Sequence, residues 1–320
     1  MLTYLCLTIA SEKKDSMSFF KHEIKWDKNS TPHTMYNILL QPTINSPNNG
    51  VWIWENSEKI HMMRPVSRDW NLMLRECLDY IVNLCDRFDG FIYSGHGGTI
   101  NVGSWFRDYT PFFKICDLIS IFENYHLSFP VMIFSSCYMG GFITLLECSR
   151  ITKWVCADPG YTGYDGITAT TSFWGRRKRG KIGKWLSEVI SDYHKRYPTP
   201  KYKCYMAFDV GYIQPLFGEM KKTNPMEWGW EGHRVSNYDK TTYDLYSVLI
   251  DDNTQKTKPV TKMISYCKKM MRYSKNSPYT INKKGPSIQW GRVRHVQDRY
   301  EGTMWWDFWK TINLKTVSFV

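Results

Sequence analysis

The chain of 320 residues has no CxxC pair, and no HExxH, GxSxG or paired-carboxylate motif. Those absences remove a zinc ribbon, helix-borne zinc hydrolysis and the serine nucleophile elbow as starting points. No apolar stretch reaches the roughly 18–20 residues that a membrane span needs. The opening MLTYLCLTIAS has an apolar run but no basic residue ahead of it, so it reads as a first core strand rather than a signal peptide. Nine cysteines, an odd number, are scattered through apolar runs. That usage fits small core residues in a reducing compartment and argues against a disulfide framework. A soluble, intracellular, cytoplasmic protein with no membrane partner is the expectation. There is no internal repeat and no long low-complexity tract.

What is present in excess is positive charge and aromatic surface. Lys and Arg number 42 against 30 Asp and Glu, a formal net charge of +12 that favours anionic partners in general. The basic residues are spread out apart from clusters near 176–184 and 256–275. Neither cluster carries a zinc-ligand pattern, a basic zipper or an RNA-binding sheet motif, so a merely basic surface is the leading reading. A basic nucleic-acid-associated protein on an unrelated α/β fold stands as a rival. The 14 Trp and 21 Tyr point to broad packing or interaction surfaces and name no ligand.

Hydrophobic periodicity gives an α/β chain. Strands are expected at 2–9, 35–40 and 51–54, then a helix with Leu74, Leu78, Ile81 and Cys85 on one stripe. A short apolar strand follows at 88–94, a helix at 115–125, a strand at 131–135, a helix at 140–148 and a strand at 153–157. Strand, helix, strand at this spacing implies parallel pairing through right-handed crossovers. The unbroken runs FIY and VMIF fit strands buried on both faces. Beyond them, Ile182, Trp185, Leu186, Val189, Ile190 and Tyr193 make a helical stripe, 202–208 reads as a strand and 214–222 as a short helix. From about 224 the alternation weakens, with one further helix at 260–272, and the last 45 residues carry no assignable pattern. The expected organisation is a mostly parallel central sheet over 1–222 and a less regular, aromatic-rich extension or subdomain packed on it over 223–320.

Two segments carry chemistry: FDGFIYSGHGG at 88–98 and VMIFSSCYMGG at 131–141. In an open parallel sheet the carboxyl ends of neighbouring strands border the crevice where ligands bind. If the two strands are neighbours, His96 and Cys137 face each other across it. Their separation of 41 residues accommodates one loop and one crossover helix. A thiolate is a strong nucleophile toward a peptide carbonyl, and an imidazole can protonate the leaving amine. The oxyanion needs unobstructed backbone donors, for which the Gly97 and Cys137 N–H groups are the candidates. Each piece also has a plainer reading, an inert core thiol and a glycine turn. No metal motif is present and no cofactor is called for; a calcium requirement is left open by the residues.

The pair and its surroundings resemble the caspase-like (clan CD) cysteine peptidases, and most of all the clostripain family. The match rests on a strand ending in His-Gly, a later strand ending in the nucleophile segment Ser135-Ser136-Cys137-Tyr138-Met139-Gly140, the VCADPGYTGYDG segment at 155–166 and YMAFDVGYIQPL at 205–216. The resemblance covers roughly 1–220 and implies a caspase-like α/β/α sandwich with endopeptidase activity on a protein or peptide. One departure stands out. The clostripain pattern has an acid two residues before the nucleophile, lining a pocket for a basic side chain, and this chain has Ser135 there. A pocket charge would then come from Asp165 or Asp158, each of which also reads as a loop-turn aspartate. The resemblance further implies maturation by cutting an internal loop, for which GRRKRGK at 175–181 is chemically suited; a solvated loop before a helix is the alternative. A catalytically inactive caspase-like scaffold that binds a protein partner is the main rival.

Overall fold

A computed structural model describes the protein over residues 2–9, 33–41, 50–56, 58–63, 69–98, 101–103, 112–160, 167, 181–196, 205–235, 242–271, 273–274, 285–289, 301–308 and 310. In chain order the first elements are β1 (Leu2–Ile9), β2 (His33–Gln41), β3 (Gly50–Glu55), β4 (Glu58–Met63) and α1 (Trp70–Val82). Then come β5 (Gly90–Gly95), β6 (Asn101–Gly103), β7 (Phe112–Lys114), α2 (Ile115–Asn124), β8 (Phe129–Ser135), α3 (Phe142–Cys148) and β9 (Thr152–Ala157). The remainder are α4 (Ile182–Arg196), β10 (Met206–Asp209), α5 (Ile213–Met220), β11 (Thr242–Asp244), α6 (Leu245–Ile250), α7 (Lys258–Met270), β12 (Tyr273–Ser274) and β13 (Ser287–Gln289).

Nine of these strands form one sheet in the order β12-β10-β9-β8-β5-β1-β2-β3-β4. Its centre, β2-β1-β5-β8-β9, is parallel throughout. Antiparallel strands finish both sides: β3 and β4 beyond β2, and β10 and β12 beyond β9. Neighbouring residues of the central strands alternate between the sheet's two faces, as the two-residue period requires. Phe91, Tyr93, Met132 and Phe134 join one core with α1, α2, α3, α5 and α7. Ile92, Val131 and Ile133 join the other, against Trp185, Leu186, Val189 and Ile190 of α4. The result is the expected α/β/α sandwich.

The helices form where the sequence supplies a stripe and a stop. Asp69 caps α1 by accepting from the Asn71 and Leu72 N–H groups, and Met73, Leu74, Cys77, Leu78 and Ile81 are its buried side. The helix ends at Val82, so Cys85 falls beyond the stripe on which it was expected. Thr257 caps α7, with a proline in its first turn. α3 starts at Phe142, two residues later than expected, because the Gly140 N–H is taken by the Asp158 carbonyl and the Gly141 N–H by that of Tyr138. β4 and the pairing of β11 with β13 were not anticipated.

Residues after 223 share the larger core. Leu245, Val248, Met263, Ile288, Trp305 and Phe308 belong to it, and the Trp305 ring meets Phe142 edge-on at 5.8 Å. A buried carboxylate ties the last segment down: Glu147, 1% exposed, accepts from the Met304 N–H at 2.9 Å and pairs with Arg150.

Candidate active site

β5 and β8 are neighbours and parallel, with Tyr93 opposite Phe134 and Ser94 opposite Ser135. His96 and Cys137 each stand two residues past that last pair, so they leave the sheet at the same height, from strands spaced about 4.8 Å apart. His96 is exposed and Cys137 half-buried. Both residues thus follow the carboxyl ends of adjacent parallel strands.

Glycine makes the close approach between the two tips feasible. A Cβ on Gly97 would lie 2.5 Å from the Cys137 carbonyl oxygen, 2.9 Å from Ser136 Oγ and 3.0 Å from Met139 Cγ. One residue earlier in the turn, Gly95 has φ +145°, a region closed to ordinary side chains, and a Cβ there would meet the Ile9 carbonyl at 2.7 Å. Gly97 also bridges Val102 of β6. The hydrogen bonds of that bridge run from the Gly103 N–H to the His96 carbonyl (2.8 Å) and from the Gly98 N–H to the Asn101 carbonyl (2.9 Å). Gly97 is thus the member of a non-hydrogen-bonded antiparallel pair, and its own N–H lies outside that ladder, directed away from β6.

Beneath His96 lies Tyr93. Its hydroxyl donates to the His96 carbonyl and accepts from the Gly103 N–H at 2.8 Å. Burial raises its ionisation strongly, the Gly103 N–H opposes that, and the charge of Cys137 adds to it, so the thiol and the phenol are electrostatic neighbours.

After Cys137 the chain turns sharply. Tyr138 has φ +58°, left-handed for a residue with a bulky side chain, and its N–H donates to the Gly160 carbonyl at 2.7 Å. A Cβ on Gly140 would be 2.6 Å from the Pro159 nitrogen. On the other side β13 arrives: the Ser287 N–H donates to the Gly140 carbonyl at 3.3 Å, and Ser287 bridges Gly141. Asp244 fixes that arrival by accepting from the Gly285 N–H (2.6 Å) and the Ser247 N–H (2.7 Å).

Of the expected pocket residues, Ser135 and Asp158 are described. Ser135 is 5% exposed and lies near the Tyr205 hydroxyl, below the turn that bears Cys137. Asp158 is fully buried, with one carboxylate oxygen accepting from the Gly160 N–H at 2.7 Å, the arrangement of a turn aspartate. Its charge helps push up the ionisation of Tyr205 and Cys156, second to burial in both. Asp165 and most of the basic loop at 175–181 lie outside the described residues. Sequence reasoning missed Tyr93, Asn101 and Ser287. The first could have been suspected as a hydroxyl in an otherwise apolar strand, whereas Ser287 carries no signal at all.

The other described thiols are a different population. Cys77, Cys148, Cys156 and Cys267 are buried and raised above the ordinary thiol range by that burial, and Cys116 is pushed up to about 12. Among the described cysteines only Cys85 shares the intermediate exposure of Cys137. Among the described residues no group of three or more His, Cys, Asp or Glu could hold a metal ion. Nor is any described helix long and apolar enough to cross a membrane.

No protein-family model and no curated protein sequence matches the chain. Solved structures do. An inactive zymogen of a C11 protease from Parabacteroides distasonis is similar with TM-score 0.72 at 11% identity, over 96% of this chain and 97% of that one. A secreted C11 cysteine protease from Bacteroides thetaiotaomicron, in complex with an irreversible peptide inhibitor, gives 0.72 at 10% identity over 99% and 100% of the two chains. Another structure of a secreted C11 cysteine protease from that organism, called iotapain, gives 0.70 at 13% identity over 96% and 98%. At such identities the likeness speaks for shape, and the shape is shared almost from end to end: the chain has the caspase-like fold of the C11, clostripain-family cysteine proteases.

Proposed function

We propose that this protein is a cysteine endopeptidase with His96 and Cys137 as its dyad. The observation that carries the reading is the common height of the two residues beyond the Ser94–Ser135 pair, with Gly97 packed against the Cys137 carbonyl. The fold shared with C11 proteases supports it, one of them bound to a peptide inhibitor. Cys137 Sγ, as thiolate, attacks the scissile carbonyl. The Gly97 and Cys137 N–H groups receive the oxyanion. As the tetrahedral adduct collapses, the C–N bond breaks and His96 gives its proton to the leaving amine. Water then hydrolyses the thioester, with His96 as base.

The substrate is a protein or peptide. Asp158 is committed to its own turn, so a pocket charge for a basic side chain falls to Asp165. Self-processing at 175–181 belongs to the same reading, and comparing wild-type with Cys137→Ala protein on incubation tests it: no cut near Arg179 in either would remove it. The scattered, mostly buried thiols support an intracellular, cytoplasmic setting.

An electrophilic peptide probe tests the reading as a whole. Cys137 should be modified far faster than the remaining eight thiols, and His96→Ala should abolish the preference. Labelling spread evenly over the thiols, or indifferent to His96, would leave an inactive scaffold.

A further inference from the structure

We propose that Tyr93 is the positioning residue of this site: its hydroxyl is the fixed point that joins residues 95–98 to residues 101–103, holding the His96 main chain and the Gly97 N–H level with Cys137. The inference rests on the peptidase reading and adds to it a residue that touches neither substrate nor the reacting atoms.

A buried tyrosine ordinarily finds a hydrogen-bond partner wherever one is near. Tyr93 is fully buried, and its hydroxyl is hydrogen-bonded to two main-chain groups, the His96 carbonyl and the Gly103 N–H. Those two atoms are also bonded to each other, so hydroxyl, carbonyl and N–H form a closed three-membered set. The turn wraps the hydroxyl tightly: a Cβ on Gly95 would be 2.8 Å from Tyr93 Oη, and only a glycine at φ +145° passes over it. The far side of the turn is held by Asn101, which is buried and donates from Nδ2 to the Gly103 carbonyl at 3.0 Å. Asn101 Oδ1 in turn leaves no room for a side chain on Gly98, where a Cβ would be 2.5 Å away. His96 is therefore tied to the phenolic oxygen directly, and Gly98 through Asn101 and Gly103. The ring itself is anchored in the sheet, opposite Phe134 on β8, the strand that ends at Cys137. One side chain thus relates the height of His96 to that of the thiol.

Tyr93→Phe keeps the ring and removes only the oxygen. Measured per titrated active site well below the melting temperature, kcat should fall on the order of 10- to 100-fold while KM holds, as expected when a reacting group is displaced and ground-state binding is not. Hydrogen exchange at the Gly97, Gly98 and Gly103 amides should quicken in the same variant. A tyrosine with a purely structural role would lower the melting temperature and leave kcat per folded molecule unchanged, and that result overturns the inference; so does unchanged exchange at the three amides. If Tyr93→Phe does not fold, Asn101→Ala releases the other end of the turn and should give a smaller loss of kcat at constant KM; unchanged kcat there overturns the inference equally. Failure of the wild-type protein to react with the peptide electrophile would sink the peptidase reading instead. In that event amide exchange alone decides Tyr93: faster exchange in Tyr93→Phe keeps it as the anchor of the turn, and unchanged exchange removes it.

Discussion

The Cα of Gly97 stands so close to the Cys137 carbonyl that a methyl group at residue 97 would lie 2.5 Å from that oxygen. The segments that follow the histidine strand and the cysteine strand therefore approach closely at main chain, with Ser136 Oγ and Met139 Cγ beside the contact. Gly97→Ala must push one tip away from the other. We expect a loss of about 100-fold in kcat/KM, from misplacement of the reacting groups, together with roughly 1–3 kcal/mol of destabilisation from overpacking. Steady-state kinetics and urea midpoints check both. Gly218→Ala in α5 is the control, because nothing lies within 4 Å of a Cβ there. It should stabilise by about 0.5–1 kcal/mol through helix propensity and leave kcat alone.

Native-state alkylation should divide the thiols by environment. Cys137 and Cys85, the half-exposed pair among the described cysteines, should react with iodoacetamide, while Cys77, Cys116, Cys148, Cys156 and Cys267 stay silent until the protein is unfolded. Site-resolved mass spectrometry gives the order. Fast reaction at any of these five, or at the equally buried Cys6, would contradict the packing described above.

Glu147 gives stability a pH dependence of defined sign. Burial raises its carboxyl above the ordinary range, outweighing the Met304 N–H and Arg150, which act the other way. The folded protein therefore holds this proton to higher pH than the unfolded chain does. Stability from this group is complete below the unfolded glutamate pKa of about 4.3 and falls as pH rises through the raised value. Glu147→Gln cannot titrate. Its stability relative to wild type should improve as pH rises from about 4 toward 7, as read from denaturant midpoints at several pH values. A gap that does not change with pH would mean that burial does not act on this carboxyl.

Trp305→Ala should loosen the last described segment from the core. The indole is 1% exposed and packs on Phe142 and Phe308. We expect about 3–5 kcal/mol of destabilisation, the usual cost of emptying a buried aromatic site, seen as a shifted urea midpoint at constant slope.

The centre of the fold was legible because its strands are written as short apolar runs. FIY and VMIF can only be buried on both faces, and their lengths with the intervening helix fix a parallel crossover. The positions of His96 and Cys137 past adjacent strand ends were legible for the same reason, since each closely follows such a run. The sheet's outer parts were harder. β4 reads EKIHMM, half-exposed along one side of the sheet, and its pattern says little about burial. β11 pairs with β13 across more than forty residues, a contact that neither strand announces in three residues of its own. The pocket aspartates were ambiguous because an Asp before Pro-Gly is as well suited to a turn as to a ligand, and Asp158 has taken the turn. Tyr93 was hidden by its own strand, where a phenol counts as bulk until the chain is seen to fold back over its oxygen.

The contact between Ser287 and Gly140 bears on when the site is finished. Gly140 follows the thiol by three residues, yet its main-chain partner is encoded 147 residues later. On the ribosome, β5 and β8 can pair as soon as residue 135 is clear, while the turn carrying Cys137 waits for the chain to reach β13. An unfinished chain holds both members of the proposed dyad without the main-chain contact that seats the turn after Cys137. The turn that carries Cys137 therefore takes its full set of main-chain contacts only in the completed fold.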